Sequence, residues 1–513
     1  MKNIVVVGGG TAGWLSALYA KMRLPEANVT VIESEEIGIL GAGEGTTPTF
    51  LSLLDRLQIP YSRVVQEADA TVKHSIKFTN WKGDGTFYYH GFLTNDDIGF
   101  SVFDNDTMLP RTSLLYATCI AEGKNYNEAN YCAQLGEKNK SGFFVHENYE
   151  GQIIPDPIYK YVQTTRFASH FDASKLAKLF KKIAVEERGI TRIEGKVVDQ
   201  TLATSGDIES LTLEDGQVVD VDFLFDCTGF ARKFIGKVYN SSWKSHKDKL
   251  TVDSAIPFFP KIDEDNIPPY TESIAMDYGW VWRIPLQSRY GSGYVFDSSL
   301  ISADEAKKEL DEYYGYEVES PRVFSFEAGY YKDIWIKNCV AVGLSSGFIE
   351  PLEATSIFVS GITLMALFED MDHLLNRDQK IIDEFNSKIA AKNQNIADFI
   401  YFHYMSGRSD TGFWKKFSDV KNAPEFVQSL LETWKYRLPE YSDFVHKGSM
   451  FPLESWVSVA DGIGKINKEL YSRVYESNKA FDFVQDGYES YIAYQKEMVD
   501  KCLNHAEFLK SLK

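Results

Sequence analysis

Cysteine is scarce in this sequence: five residues among 513, odd in number, with no Cys-x-x-Cys pair or Cys/His cluster. Such a set supports neither a disulfide framework nor a structural zinc site, and we expect no metal. Long apolar runs are lacking too, since the most apolar stretch, 357–368, is too short and too interrupted by polar residues to span a bilayer. No cleavable apolar segment precedes the first predicted strand at Ile4. These absences predict a cytoplasmic protein without a membrane partner.

Positive charge is in short supply. Lysine and arginine number 54 against 73 aspartate and glutamate residues, which gives a formal net charge of −19. We therefore expect no nucleic-acid partner, because neutralising phosphates needs a basic surface. Hydrophobic residues make up 44% and charged residues 25% of the chain, so a disordered protein is excluded and a sizeable core is expected.

What the chain does have is a dinucleotide-binding pattern near its start. A short β-branched run at 4–7 is typical of a buried strand, and Gly8-x-Gly10-x-x-Gly13 follows it directly, before a predicted helix at 14–22. The three glycines allow a tight turn, close approach of the backbone to a pyrophosphate, and close packing of helix on strand. The N-terminus of the helix then stabilises the phosphate charge.

A second predicted strand at 29–32 ends at Glu33, about 20 residues past the last glycine, where a carboxylate can bond the ribose hydroxyls. Strand, glycine turn, helix and acid together predict a dinucleotide site. FAD is favoured over NAD by the N-terminal position of the pattern and by two later strand-and-turn segments, 223–229 with Asp226 and 339–343. A second Gly-x-Gly-x-x-Gly pattern for NAD(P)H is absent from the sequence.

Local patterns place strands and helices along most of the chain. A 3.6-residue apolar repeat at 176–184 predicts an amphipathic helix, Asp215-Gly216 predicts a hairpin turn, and 302–305 is a capping box that opens another helix.

The strand signals become rare after about Ala354, where a helix is predicted to run to about Leu375. We therefore predict an α/β fold with a Rossmann-like FAD domain at 1–360 and a mainly helical C-terminal substrate domain at 361–513. An insertion at about 84–157 is expected to cover part of the first domain.

Three further motifs occur together, and with them the chain resembles the flavin-dependent halogenases, the family typified by tryptophan halogenases. Residues 279–285 match its Trp-x-Trp-x-Ile-Pro signature, 75–81 match the segment that carries its active-site lysine, and 348–357 match the stretch that holds its active-site glutamate. The resemblance covers nearly the whole chain. It implies a glutathione-reductase-type FAD domain and a reaction of reduced FAD, O2 and halide with an electron-rich indole- or phenol-type ring.

The resemblance also implies how the cofactor is supplied and bound. Reduced FAD arrives by diffusion from a separate reductase, and halide is oxidised to hypohalous acid, which moves through an internal passage to the substrate. Glu44, in a glycine-rich segment along the flavin, either couples the flavin and halide sites or stabilises a turn. A homo-oligomer is left open. The expected cofactor-binding residues are Gly8, Gly10, Thr11, Ala12, Gly13, Glu33, Gly43, Glu44, Val197, Asp226, Leu344 and Ile357.

The active-site lysine is assigned to Lys77 by the same resemblance. Its neighbours Ile76 and Phe78 are apolar, so a partly desolvated ammonium is expected. The ammonium would either hydrogen-bond hypohalous acid or be halogenated to a haloamine. Lys73, four residues earlier, lacks the flank that matches the family.

The active-site carboxylate is assigned to Glu353, which follows Pro-Leu as in the family and would polarise hypohalous acid and accept the ring proton. Glu350 is its close competitor. Thr355 and Ser356 match the positions whose backbone amides hold halide at a helix start. Tryptophan-specific members usually have Ser-Thr-Gly where this chain has Ala-Thr-Ser at 354–356, which hints at a broader substrate range.

Tryptophans are the candidates for an apolar wall that keeps the organic substrate away from the flavin. Trp280 and Trp282, at i and i+2 of a predicted strand, point the same way, although alone they would be interpreted as core residues. Trp456 is a further candidate for this wall and His90 for the substrate pocket, with ordinary core packing as the alternative for both.

Two other functions compete with halogenation. An FAD-dependent aromatic monooxygenase that hydroxylates shares the glycine loop and the Asp226 segment, whereas the Trp-x-Trp motif, Lys77 and Glu353 argue against it. A non-catalytic flavoprotein that binds a partner is the third hypothesis. Halide dependence separates the first two, and oxygen consumption with reduced FAD tests the third.

Overall fold

The computed structural model describes residues 1–36, 43–92, 111–146, 156–320, 322–369, 371–444, 449–478 and 483–513. The strands of these residues, in chain order, are β1 (Asn3–Val7), β2 (Asn28–Glu33), β3 (Gly43–Gly45), β4 (Thr71–Lys73), β5 (Ser75–Thr79), β6 (Phe87–Gly91), β7 (Phe143–Val145), β8 (Tyr161–Gln163), β9 (Ala168–Asp172), β10 (Thr191–Glu194), β11 (Val197–Leu202), β12 (Ile208–Leu213), β13 (Val218–Asp220), β14 (Phe223–Asp226), β15 (Trp243–Ser245), β16 (Ser254–Phe258), β17 (Tyr270–Ala275), β18 (Gly279–Pro285), β19 (Tyr290–Phe296), β20 (Phe324–Ser325), β21 (Gly329–Tyr331), β22 (Trp335–Ile336), β23 (Cys339–Ala341) and β24 (Gly347–Phe348).

The α-helices of the same residues are α1 (Thr11–Arg23), α2 (Thr49–Arg56), α3 (Tyr61–Glu67), α4 (Arg111–Ala121), α5 (Tyr126–Ala129), α6 (Tyr131–Glu137), α7 (Ala173–Lys182), α8 (Ala303–Tyr314), α9 (Ser356–Leu367), α10 (Met371–Asn376), α11 (Gln379–Tyr404), α12 (Gly412–Lys415), α13 (Glu425–Thr433), α14 (Leu453–Gly462), α15 (Lys468–Asn478), α16 (Phe483–Lys501) and α17 (His505–Ser511). Short 3-10 segments include Gly343–Ser345 and Pro351–Glu353, and π-helical turns lie at Ile183–Glu187 and Lys233–Val238.

Two compact units make up the chain, and each is assembled from three separate segments. Unit 1 contains 1–70, 171–248 and 327–394, and unit 2 contains 71–170, 249–326 and 395–513. The linear boundary that we predict near residue 360 is a different division of the chain, and it stays a prediction.

A six-stranded sheet forms the centre of unit 1, in the order β10-β2-β1-β14-β23-β22. All neighbours pair in parallel except β22 and β23, and the strands are rich in buried apolar residues, as parallel strands covered on both faces must be. Val7 lies opposite both Ile32 and Asp226. The carboxyl ends of β1, β2 and β14 therefore meet at one edge of the sheet, which is where such sheets bind ligands.

A seven-stranded sheet forms the centre of unit 2, in the order β20-β16-β19-β18-β17-β5-β6. Only β17 and β5 pair in parallel. Beside it, β4 pairs antiparallel with β9, so that Thr71 lies opposite His170 and Lys73 opposite Ala168. The segment 71–76 is buried throughout.

Several predicted elements are confirmed. The helix predicted at 14–22 is α1, the repeat at 176–184 is α7 with the π-helical turn that follows it, and the turn at 215–216 joins β12 to β13 with Gly216 at φ +88°. The predicted capping box of α8 is present, because the Ser302 side chain accepts from the Glu305 amide and the Glu305 side chain accepts from the Ser302 amide.

The helix predicted to run from about 356 to 375 is wrong in extent. It ends at Leu367, and the carbonyl of Phe368 accepts a hydrogen bond of 2.8 Å from the Arg23 guanidinium, a distant partner that takes over a helix-end acceptor. A separate helix, α10, begins at Met371.

The C-terminal part of the chain is helical, as predicted: after β24 the described residues form helices and no further strand. Among these described residues, no helix combines the length and apolarity that crossing a membrane requires. The predicted insertion at 84–157 contains β6, α4 to α6 and β7, while its parts 93–110 and 147–155 lie outside the described residues.

Candidate active site

The predicted dinucleotide loop lies between β1 and α1 in unit 1, and its backbone geometry suits a bound pyrophosphate. A Cβ on Gly8, whose φ is +123°, would lie 2.1 Å from the Cys227 carbonyl oxygen, and one on Gly13 would lie 1.9 Å from the Gly8 carbonyl oxygen. Both positions therefore tolerate only glycine. Gly10, the N-cap of α1, faces open space, which leaves room for a phosphate at the start of the helix.

The other expected cofactor residues also lie in unit 1. Thr11 and Ala12 begin α1, and a Cβ on Gly343 would lie 2.7 Å from the Ala12 Cβ, so the turn that holds Leu344 packs against the glycine loop. Glu33 ends β2, Gly43 and Glu44 lie in β3, Val197 begins β11, Asp226 ends β14, and Ile357 lies in the first turn of α9.

Asp226 has a structural task. Its Oδ1 accepts from the Thr228 amide and hydroxyl at 3.1 and 2.6 Å, and its Oδ2 accepts from the amides of Phe234 and Ile235 at 2.9 Å. These four hydrogen bonds shape the turn after β14. A cofactor contact of Asp226 stays a prediction.

Glu44 has an unusual carboxyl. Burial, with a smaller contribution from the negative charge of Asp172, raises its pKa from about 4.5 to about 7. Asp172 is itself held in place as the N-cap of α7, where it accepts from the Lys175 amide at 3.0 Å. Glu44 can therefore exchange a proton near neutral pH.

Replacing Glu44 with glutamine is expected to stabilise the FAD-free protein at pH 8 and to leave it unchanged near pH 4.5. Because its pKa is raised in the folded state, the folded protein holds a proton that the unfolded chain releases above about pH 4.5. Stability therefore falls as pH rises from about 4.5 to about 7 and stays low above that. Thermal midpoints of both proteins across this range measure the effect.

Glu36→Gln is the matched control for this experiment. Its exposed carboxylate accepts a hydrogen bond from Lys196, which lowers the pKa of Glu36. Its loss should therefore give no gain in midpoint temperature at pH 8. Equal midpoints for wild type and Glu44→Gln at pH 8 would contradict the raised pKa.

Glu353 and the predicted halide positions form one continuous turn in unit 1. Glu350 and Glu353 are both buried, and Glu353 ends the short 3-10 helix at 351–353. Ala354 follows with φ +54°, a left-handed conformation that is costly for a residue other than glycine and is often found at functional sites. Thr355 is then the N-cap of α9, so the backbone amides of Thr355 and Ser356 lie at a helix start.

Lys77 lies on β5 in unit 2, and a neighbouring carboxylate and aromatic rings compensate the positive charge of its ammonium. Its Nζ donates to Glu137 Oε1 at 2.9 Å, and the rings of Phe87, Tyr89 and Tyr270 lie 4.0, 5.3 and 5.5 Å from Nζ. The Lys77 side chain is 14% exposed and that of Glu137 is 44% exposed. This is the arrangement of a structural ion pair near the surface.

Lys73, at the end of β4 in the same unit, is fully buried. Its Nζ lies over the Phe92 ring, 5.4 Å from the ring centroid. Burial, together with the nearby charge of Lys73, holds the pKa of His170 well below its usual value. A buried ammonium is costly, and groups of this kind are concentrated at functional sites.

Trp280 and Trp282 share one face of β18, as predicted. Their rings meet edge to face with centroids 6.4 Å apart, and the Trp280 indole N–H donates to the Tyr404 hydroxyl at 2.9 Å. A Cβ on Gly293, opposite Trp282 on β19, would lie 2.0 Å from the Trp282 ring, so this glycine makes room for the indole. Their position relative to a flavin stays a prediction.

Trp456, on α14 in unit 2, is fully buried among phenylalanine rings that include Phe399 and Phe402. Its indole N–H has no acceptor among the residues that the structure describes. Leaving a buried donor unpaired costs about 1–3 kcal/mol, so this atom suits an acceptor on a ligand. His90, the other pocket candidate, is buried with Nε2 2.8 Å from the Ser455 hydroxyl.

Sequence reasoning misses two cations that converge on Glu33. Arg192 and Lys181 both contact its carboxylate, at 2.6 and 2.7 Å. No local pattern marks them, because Lys181 looks like a polar-face residue of an amphipathic helix and Arg192 like an exposed strand residue. The signal lies in the parallel pairing of β10 with β2, which is not readable from either segment alone.

Comparison with known proteins matches this geometry to one family. The tryptophan halogenase family model matches residues 3–477 of the chain. The tryptophan 7-halogenase RebH of Lentzea aerocolonigenes is 30% identical over 450 residues, which cover 83% of this chain and 81% of that protein.

Solved structures give the same result for the whole chain. The tryptophan 6-halogenase SttH of Streptomyces toxytricini aligns with a TM-score of 0.86 at 27% identity and covers 100% of both chains. BrvH, a flavin-dependent halogenase from Brevundimonas sp. BAL3, aligns with a TM-score of 0.83 at 28% identity and covers 100% of this chain and 99% of that one. These likenesses confirm the predicted α/β fold class with its helical C-terminal region.

Proposed function

The chain belongs to the tryptophan halogenase family, and we propose that it places a halogen on an electron-rich carbon of an indole- or phenol-type substrate. Like its relatives, it is an FADH2-dependent enzyme that uses O2 and halide. Family membership over residues 3–477 carries the proposal, and the features that argue against a hydroxylase support it: the Trp280 and Trp282 pair, Lys77 and Glu353.

FAD, when bound in its reduced form, would supply two electrons to O2, so that O2 can oxidise halide to hypohalous acid with water as the second product. The chain binds this cofactor through the glycine loop at 8–13, with the pyrophosphate at the start of α1 and the ribose on Glu33. A separate reductase delivers the reduced flavin, since the sequence has no second Gly-x-Gly-x-x-Gly pattern.

Halide is held by the backbone amides of Thr355 and Ser356. The first amides of an α-helix have no partner within the helix and lie at the positive end of its dipole. The left-handed Ala354 directly after a 3-10 turn supports this role, because a right-handed residue followed by a left-handed one turns successive amides toward an anion.

For the lysine that receives hypohalous acid we propose Lys73 in place of Lys77, and its complete burial supports this choice. The sequence motif selects Lys77, but the Lys77 ammonium is engaged by Glu137 and three aromatic rings, whereas the Lys73 ammonium is fully buried. Burial shields this amine from bulk water, so hypohalous acid beside it would not compete with solvent for its hydrogen bonds. Both chemical modes, a hydrogen bond to hypohalous acid and a haloamine, remain open for this residue.

Glu353 acts as the proton acceptor for the ring carbon that is halogenated. Glu353 is buried, and the left-handed Ala354 that follows it fixes the turn that carries the carboxylate. The same carboxylate can polarise hypohalous acid before transfer. Glu350 is the competitor, since it is equally buried.

The substrate range is proposed to be broader than tryptophan. RebH and SttH are named for halogenation of tryptophan at positions 7 and 6. This chain has Ala354 and Ser356 where tryptophan-specific members usually have serine and glycine. Trp456 offers its buried N–H, which has no acceptor among the residues that the structure describes, to an acceptor on the ligand.

A panel assay tests the proposed function. Purified protein is given chemically reduced FAD, O2, and either no halide or one halide at a time, with a set of indoles and phenols as substrates and mass spectrometry as readout. Halogenated product that forms only with halide supports the proposal. Hydroxylated product that forms equally without halide would establish the monooxygenase instead, and unconsumed organic substrate with every halide would establish a non-catalytic flavoprotein.

Brominated product, and likewise iodinated product, is expected to equal or exceed chlorinated product when chloride, bromide and iodide compete at equal concentration for one indole. Larger halides lose less hydration free energy on entering a dry site and are more easily oxidised. Selectivity against them requires a built obstacle, and Ala354 and Ser356 do not provide one. Product masses measure the ratio, and mostly chlorinated product would reveal a selective halide pocket.

A further inference from the structure

Glu33, at the end of β2, is held by two cations through one oxygen. Arg192 Nε from β10 and Lys181 Nζ from α7 lie 2.6 and 2.7 Å from the same atom, Oε1. The Glu33 side chain is 11% exposed, so these contacts are only weakly screened by solvent. Arg192 is itself anchored by Glu35, at 3.0 Å, and by Glu194.

The second oxygen of Glu33 faces the glycine loop. A Cβ built on Gly9 would lie 1.6 Å from Oε2, so the carboxylate reaches the backbone of the loop at a place that only glycine leaves open. The contacts of the two cations, Lys181 at 2.7 Å and Arg192 at 2.6 Å, are with Oε1. The carboxylate is therefore anchored through Oε1, while its Oε2 lies against the backbone at Gly9, the residue before the open position at Gly10.

The structure assigns Lys181 and Arg192 as positioning residues for the adenosine half of FAD. A free glutamate side chain loses rotamer freedom when it binds a ribose, and its charge repels the neighbouring pyrophosphate. Two cations on Oε1 remove both costs in advance, because they fix the side chain and compensate its charge before the cofactor arrives. Oε2 then accepts a hydrogen bond from a ribose hydroxyl. This inference rests on the proposed placement of FAD at the glycine loop and is independent of halogenation.

The test compares two flavins that differ in adenosine. Wild type and Lys181→Gln/Arg192→Gln are titrated with FAD and with FMN, which lacks the adenosine ribose, by flavin fluorescence. The double variant should bind FAD about tenfold more weakly, the effect expected when a pre-fixed side chain is released, and FMN unchanged. Unchanged FAD affinity, or equal weakening of FAD and FMN, would overturn the assignment.

A double-mutant cycle with Glu33→Gln shows whether the two cations change FAD affinity through Glu33. If the cations act through Glu33, then adding their removal to Glu33→Gln should produce no further loss of FAD affinity. A further tenfold loss would mean that the cations contact FAD directly and would overturn the inference. Lys182→Gln is the matched control, because Lys182 is the next residue of α7 but pairs with Glu67 at 3.0 Å. Its FAD affinity should equal that of wild type.

Discussion

Replacement of Lys73 by methionine is expected to lower halogenation by about 1,000-fold or more, within the range that one positioned proton-transfer group contributes. FAD binding and the release of hydrogen peroxide from reduced flavin should persist, because the glycine loop belongs to unit 1 and Lys73 to unit 2. Methionine fills a similar volume without a charge, so the packing of the aliphatic stem is kept while the ammonium is removed. Thermal midpoint, FAD titration and product yield measure the three properties.

Lys77→Met is the matched control, four residues away on the next strand. It removes a partly exposed ion pair with Glu137, which is worth about 0–1 kcal/mol, so halogenation should stay within about threefold of wild type. The opposite ranking of the two variants would restore the assignment that the sequence motif favours. Loss of FAD binding in Lys73→Met would show a structural role for that lysine.

Local patterns predict the nucleotide-binding part of the fold well. The strand, glycine loop and helix at residues 3–23 are specified by neighbouring residues, and so is the capping box at Ser302. The end of α9 is not, because the carbonyl of Phe368 is satisfied by Arg23, a residue far away in the chain. Local patterns also do not predict that segments of the two units alternate along the chain. That arrangement depends on distant pairings, such as that of β5 with β17.

The site residues, too, are predictable where they are neighbours in sequence and not where distant residues decide their surroundings. Glu353, Thr355 and Ser356 lie in one short segment, so a motif finds them together. The choice between Lys73 and Lys77 depends on which side chain is buried, and that is decided by β9, α6 and the aromatic rings around each lysine rather than by its flanks. The contact of Lys181 and Arg192 with Glu33 brings together α7, β10 and β2, which are separate in sequence.

Glu353→Gln is expected to lower the halogenation rate by about 100-fold, and Glu350→Gln by clearly less. Glutamine keeps the shape of the side chain and one acceptor oxygen, but it cannot take up the proton of the ring carbon. The two glutamates are three residues apart and both are buried, so their burial costs are alike. They differ in backbone, because Glu350 is extended at the start of the turn whereas Glu353 lies between Leu352 and the left-handed Ala354.

The pH dependence of the rate distinguishes a base from a structural carboxylate. If Glu353 accepts the ring proton, the wild-type rate should fall at acidic pH as this carboxylate is protonated, and the Glu353→Gln variant should lose that acidic limb while its FAD affinity and thermal midpoint stay unchanged. The Glu350→Gln variant should still show the fall of the rate at acidic pH. A larger rate loss in Glu350→Gln, or an acidic limb that survives in Glu353→Gln, would transfer the role to Glu350. The comparison is decisive because both variants remove one buried charge from the same turn, so a difference between them reports on position and not on the loss of charge itself.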